Sequence, residues 1–128
     1  MAENRRSGKL AVILHADVVG STALVQRDEQ IAHERIQDTF HRFGDTIDKY
    51  HGHVRELRGD ALLAEFERAS DAVTAALAFQ ADHILYNAQL TDGIQPTVRV
   101  GIAMGEVIIA DDTITGAGVV LAQRLEQL

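Results

Sequence analysis

The chain has 128 residues, 46% hydrophobic and 24% charged, with 12 Lys and Arg against 19 Asp and Glu for a net charge of -7. That size suits one globular domain with its own core, and the negative balance opposes binding to DNA or to an anionic membrane surface. The absence of cysteine excludes disulfides, thiolate metal sites and a thiol nucleophile.

The opening MAENRRSGKL is basic, but the apolar run after it meets His15 and Asp17 too soon for a secretory leader or a membrane span. The expectation is a cytoplasmic protein with no membrane insertion and no nucleic-acid partner. Leu10 to Ala16 is a continuous apolar run with β-branched members, the signature of a strand covered on both faces. Gly20, Ser21 and Thr22 predict a turn and a hydroxyl N-cap for a following helix. Ile36, Phe40, Phe43, Ile47 and Tyr50 recur at spacings of three and four with charged residues between, which predicts an amphipathic helix ended by Gly52.

His53 to Arg58 and Ala61 to Phe66 read as short strands joined across Gly59 and Asp60, a hairpin-sized gap. Ala69 to Leu85 predicts an alanine-rich helix with Ala72, Val73, Ala76, Leu77 and Ile84 on one side, and Gly93 and Pro96 mark the loop after it. Val98, Val100 and Ile102, then Val107, Ile108 and Ile109, predict two further strands around Gly105. Gly116 and Gly118 open a last helix with Leu121, Leu125 and Leu128 as its apolar stripe. Ending inside a helix, residues 1–128 read as one domain that lacks its C-terminal strands.

The order β, α, α, β, β, α, β, β, α predicts an α/β (α+β) sandwich of the ferredoxin-like type, a mixed or antiparallel sheet with helices packed on it. Polar groups then gather at strand ends and hairpin turns. Asp17 follows the first strand and Asp60 lies in the hairpin turn. If that strand pairs beside the hairpin, the two carboxylates meet at one edge, and acids held so close need a cation between them. Mg²⁺ suits: it takes hard oxygen ligands, often one or two carboxylates, and completes its shell with phosphate oxygens. Gly20, Ser21 and Thr22 would present backbone N–H groups at a helix N-terminus, an anion site for a triphosphate. The residues alone leave open a strand-end acid and an ordinary Gly-Asp turn. His15, His51 and His53 lack a third clustered ligand at metal spacing, so core or surface histidines account for them better than zinc.

The stretches ILHADVVGSTALV, HGHVRELRGDALLAEF and VRVGIAMGEVIIADDTITGAGVVLAQRLE resemble, in order and spacing, the catalytic domain of the class III adenylate and guanylate cyclases, from about Leu10 to Leu128. The resemblance implies an enzyme of intracellular signalling, dependent on two Mg²⁺ or Mn²⁺ ions per site, that converts ATP or GTP to the 3′,5′-cyclic nucleotide and pyrophosphate. It implies a head-to-tail homodimer with sites shared between the chains. It puts Asp17, the Val18 carbonyl and Asp60 on the metal positions, Gly20, Ser21 and Thr22 on the phosphate turn, and Glu56 and Thr113 on the base-reading positions. Arg124 falls on the position of the catalytic arginine.

Chemically the substrate's own 3′-OH attacks the α-phosphorus, so no side-chain nucleophile is required. Three positions depart from the family pattern. Adenylate cyclases carry lysine where this chain has Glu56, and a carboxylate, which only accepts, suits the N–H donors of guanine. The family's ribose-orienting asparagine is Val120 here, which offers no hydrogen bond. His15 stands where the family is often apolar. A family lysine that binds phosphate would fall beyond Leu128. The alternative function is a degenerate cyclase domain acting as a nucleotide-binding or dimerising regulatory module. A diguanylate cyclase palm is the remoter reading, since its glycine-rich acidic hairpin is missing.

Overall fold

A computed structural model describes residues 8–111 and 113–128; the basic opening stretch before Gly8 lies outside them. The elements are β1 (Gly8–Val19), α1 (Ser21–Arg27), α2 (Glu29–Lys49), β2 (His53–Arg58), β3 (Ala61–Phe66), α3 (Ala69–Ala88), β4 (Thr97–Ala110), β5 (Thr113–Thr115) and α4 (Ala117–Glu126). All strand pairs are antiparallel and the sheet order is β2-β3-β1-β4-β5. Its first four strands have the ferredoxin-like arrangement expected from the element order.

Burial explains the unbroken apolar run of β1. Successive side chains of a strand point to opposite faces. Val12, Leu14, Ala16 and Val18 pack with Ile36, Phe40, Phe43 and Ile47 of α2 and with Phe79 of α3. Ala11 and Ile13 turn the other way, onto Leu63, Ala103, Val119 and Ala122. β1 therefore has helices on both sides and strands along both edges.

Asp28 starts α2 by accepting a hydrogen bond from the Ile31 N–H at 3.0 Å, which satisfies one of the helix's unpaired donors. The aromatic face of α2 meets α3 in a column: Phe43 stacks on Phe79 at 4.0 Å, Phe79 on His83 at 5.1 Å, and His83 on Tyr86 at 5.8 Å. Arg42 closes it, its guanidinium 3.7 Å from the Tyr86 ring centroid.

Several expectations need correction. Gly105 does not separate two strands; it lies inside the single long strand β4, and a short β5 follows. The missing Cβ serves packing instead. A Cβ at Gly105 would lie 2.6 Å from the Gly118 Cα, and one at Gly101 would lie 2.2 Å from the Ala122 carbonyl oxygen. The backbone of α4 thus rests directly on β4.

That close approach also reverses the reading of α4. Its buried stripe is Gly118, Val119, Ala122 and Glu126, while Leu121, Leu125 and Leu128 are exposed. In α3 the buried side is Ala72, Ala75, Ala76, Phe79 and His83, and Val73, Leu77 and Ile84 face outward. The hydroxyl cap expected after β1 is not made: Gly20 is the N-cap of α1, in the left-handed region at φ 63°, with no side-chain cap bond. His51 lies in the turn before β2, in the left-handed region at φ 68°. No helix among the described residues is long and apolar enough to cross a membrane.

Candidate active site

Register sets the backbones of Asp17 and Asp60 side by side. Asp17 is paired with Ala61 across β1 and β3, and the Val18 N–H donates to the Asp60 carbonyl at 3.1 Å. The Asp60 residue is thereby locked beside the end of β1. Its carboxylate accepts a hydrogen bond from the Ser21 hydroxyl at 2.8 Å, so the serine expected to cap α1 ties the phosphate turn to the hairpin instead. Gly20 bridges the two, and a Cβ there would meet nothing within 4 Å; its surroundings are open. Thr22 lies in the first turn of α1.

Asp17 points to the α4 side of the sheet, as Ala11 and Ile13 do. Arg99, its register partner on β4, places Nε 3.6 Å from Asp17 Oδ1 and 3.5 Å from Glu126 Oε2. Glu126 Oε1 lies 3.2 Å from His15 Nδ1. The Glu126 side chain is completely buried. Asp17 Oδ1, both Glu126 oxygens and His15 Nδ1 are buried without a hydrogen-bond partner. Burial and the neighbouring Asp17 carboxylate push the Glu126 carboxyl up to about 7, against the opposing pull of Arg99. Burial lowers His15, with Asp17 partly offsetting it. Neither Arg99 nor Glu126 is evident as a site residue in the sequence, because only strand register and the docking of α4 bring them to Asp17.

The donor set fits a hard cation. Asp17 and Asp60 supply carboxylate oxygens at adjacent backbone positions, and the orphaned Asp17 Oδ1 is an acceptor that a cation satisfies. The carbonyl of Val18 stands between them in sequence.

Glu56 and Thr113 meet elsewhere, around a cavity of about 410 Å³ whose lining includes His15, Leu63, Val119 and Gln123. Glu56 comes to it through a register shift in β2 between Val54 and Glu56. Its carboxylate is engaged on both oxygens: Arg58 pairs with Oε1 at 2.7 Å, and the Ile114 N–H donates to Oε2 at 3.4 Å. The Thr113 hydroxyl donates to the Ala110 carbonyl at 2.9 Å, which leaves its oxygen lone pairs as acceptors.

Val120 and Arg124 lie one helical turn apart on the exposed side of α4, amid the outward-facing Leu121 and Leu125. Arg124 lines neither this cavity nor the larger one, of about 470 Å³, beside Ser21 and Asp60. The fold does not bring the arginine to the acids of its own chain.

The chain is similar in sequence to a protein named as an adenylate cyclase and in fold to adenylate and guanylate cyclase structures. It is 33% identical over 129 aligned residues to a Rhizobium meliloti (strain 1021) protein provisionally named adenylate cyclase 3; the match covers 100% of this chain and 22% of that protein. The chain thus spans about a fifth of the length of that curated relative. An adenylate/guanylate cyclase/hydrolase structure from Silicibacter pomeroyi superposes with a TM-score of 0.82 at 29% identity, covering 94% of this chain and 71% of the other. The adenylyl cyclase CyaB of P. aeruginosa gives a TM-score of 0.79 at 22% identity over 94% and 72% of the two chains. The guanylate cyclase domain of RhGC from Catenaria anguillulae, solved in complex with GTP, gives 0.73 at 18% over 94% and 74%. These last two likenesses speak for the fold. No family profile matches the chain.

Proposed function

We propose that the chain is the catalytic domain of a nucleotidyl cyclase that converts ATP or GTP to the 3′,5′-cyclic nucleotide and pyrophosphate, with sites shared between two head-to-tail copies. The observation that carries this reading is the juxtaposition of Asp17 and Asp60, with Ser21 bonded to Asp60 and Gly20 between them. Asp17, the Val18 carbonyl and Asp60 would hold two Mg²⁺ or Mn²⁺ ions, whose chemistry is to stabilise charge on the triphosphate and the reacting oxygens. Gly20, Ser21 and Thr22 receive the phosphates. Glu56 and Thr113 read the base, the first through whatever acceptor capacity Arg58 and Ile114 leave it.

Arg124 is a fork donor for phosphate, and its outward position supports service to a second copy's acids. Exposed Val120, Leu121, Leu125 and Leu128 on the same helix supply apolar area for that copy to cover. A triphosphate substrate also places the protein in the cytoplasm, where such substrates are made. The second reading, a nucleotide-binding or dimerising module without turnover, is favoured by Val120, whose isopropyl group cannot orient a ribose hydroxyl.

The test is complementation. Cyclic nucleotide formation from ATP and from GTP is measured with Mn²⁺ for wild type, Asp17→Ala, Arg124→Ala and an equal mixture of the two variants. Each variant alone should be inactive and the mixture active. Inactive wild type that still binds nucleotide supports the module; active wild type with a dead mixture refutes the shared site.

A further inference from the structure

Arg99 stands between two carboxylates, 3.6 Å from Asp17 and 3.5 Å from Glu126. These distances exceed a close ionic hydrogen bond, and Asp17 Oδ1 and both Glu126 oxygens have no hydrogen-bond partner. A guanidinium committed to Asp17 alone would neutralise that acid and compete with any cation. Divided between two acids, it leaves each only partly compensated. Glu126 can hold its end of this division because α4 is seated by the close contacts at Gly101 and Gly105, which fix its buried side chain over β4. His15 faces Glu126 on the opposite side, 3.2 Å away.

From this geometry we infer that Glu126 is a positioning residue for the metal acid Asp17: it draws Arg99 away from Asp17 and keeps the Asp17 carboxylate available to a divalent cation. The inference rests on the reading of Asp17 as a metal ligand. It couples α4, which also carries Arg124, to the acid at the end of β1. Arg99 is the shared element, so the two partners of Asp17 act with opposite sign. Removing the charge of Glu126 lets Arg99 close on Asp17 and weakens metal binding. Removing the charge of Arg99 frees Asp17 and strengthens it.

The test is Mn²⁺ affinity, read by electron paramagnetic resonance of free Mn²⁺ at about pH 8 with a non-cyclisable triphosphate analogue present. Wild type, Glu126→Gln, Arg99→Gln and Asp17→Asn are compared, with thermal unfolding of each as the measure of structure. Glu126→Gln should bind Mn²⁺ roughly tenfold more weakly, in the range typical of outer partners of a metal ligand, and Arg99→Gln should bind it more tightly than wild type. A merely structural role for the cluster would weaken binding in both variants. Equal or weaker binding in Arg99→Gln overturns the inference, as does unchanged binding in Glu126→Gln. If Glu126→Gln loses the cooperative transition of wild type, Arg99→Gln decides alone, since the Arg99 side chain is 46% exposed and its loss leaves no cavity in the core. Unchanged affinity in Asp17→Asn refutes the metal-ligand reading itself, and the inference with it.

Discussion

Replacing Gly101 by alanine should unseat α4. The added Cβ would lie 2.2 Å from the Ala122 carbonyl oxygen and 2.3 Å from the Glu126 nitrogen, both backbone atoms that no rotamer change can move aside. Carbon needs about 3.2 Å or more from either, so α4 must rise from β4 by roughly 1 Å. That lift loosens the contacts of Val119 and Ala122 with Ile13, Leu63 and Ala103. Overpacking of this kind costs about 3 kcal/mol, equivalent to a fall in Tm of roughly 10 °C for a chain of this size. Gly44 provides a control of opposite sign. It lies inside α2, where a Cβ would meet only Val54 Cγ2 at an ordinary 3.7 Å, so alanine there should stabilise by about 0.5–1 kcal/mol. Thermal and urea unfolding followed by circular dichroism measures both. A Gly101→Ala protein that melts within about 2 °C of wild type would refute the direct seating of α4 on β4, and with it the fixed placement of Glu126.

Two further predictions concern the column between α2 and α3. Burial lowers the His83 pKa, the Pro96 carbonyl bond opposes that shift, and Arg42 adds to it. The folded protein therefore resists the proton that the unfolded chain takes up as pH falls through 6.5, and the stability contributed by neutral His83 should drop between about pH 7.5 and 5.5, while Glu126, raised to about 7, acts in the opposite sense. Urea midpoints across that range should show a smaller drop for His83→Gln than for wild type; identical slopes would mean that His83 is not held neutral. Phe79→Ala removes a fully buried ring stacked on Phe43 and should cost about 3–5 kcal/mol, visible as a lower urea midpoint. A loss below about 1 kcal/mol would mean that the column repacks around the gap.

What could be read directly from the residues was whatever leaves a periodic apolar signal. The two-sided run of β1, the three-and-four spacing of α2 and the Gly59-Asp60 turn all appear in the structure where their patterns fall. Large side chains misled wherever small ones make the contact. In α3 and α4 the leucines, Val73 and Ile84 look like the buried stripes, yet alanines and glycines face the sheet because they let backbones approach. Gly105 looks like a strand break for the same reason. At the site, Asp17 and Asp60 were legible from their places at a strand end and a turn. Arg99 and Glu126 were not, since their meeting with Asp17 depends on pairing register across distant strands and on the seat of a helix, neither of which leaves a local mark. At Glu56, Arg58 is a near neighbour in sequence, whereas the backbone donor from Ile114 was hidden by sequence distance.

The sheet order carries a cost that falls on synthesis rather than on the finished protein. β1 is made before either of its neighbours, and its pairs reach to Ala61 on one edge and to Arg99 on the other. Roughly 80 residues separate Asp17 from Arg99, so at translation rates of about 5–20 residues per second the strand waits some 4–16 seconds for its second edge. Until β4 emerges, Val12, Ile13 and Leu14, among the most deeply buried side chains of the finished fold, have at most the β3 edge to pair with, and the row of backbone donors and acceptors that β4 will cover stays open to any other nascent chain. The hairpin of β2 and β3 is local and can form by itself, but the strand that unites both halves of the core is the last to be completed. A chain that stops before β4 would therefore carry an unpaired β1 edge rather than a closed sheet.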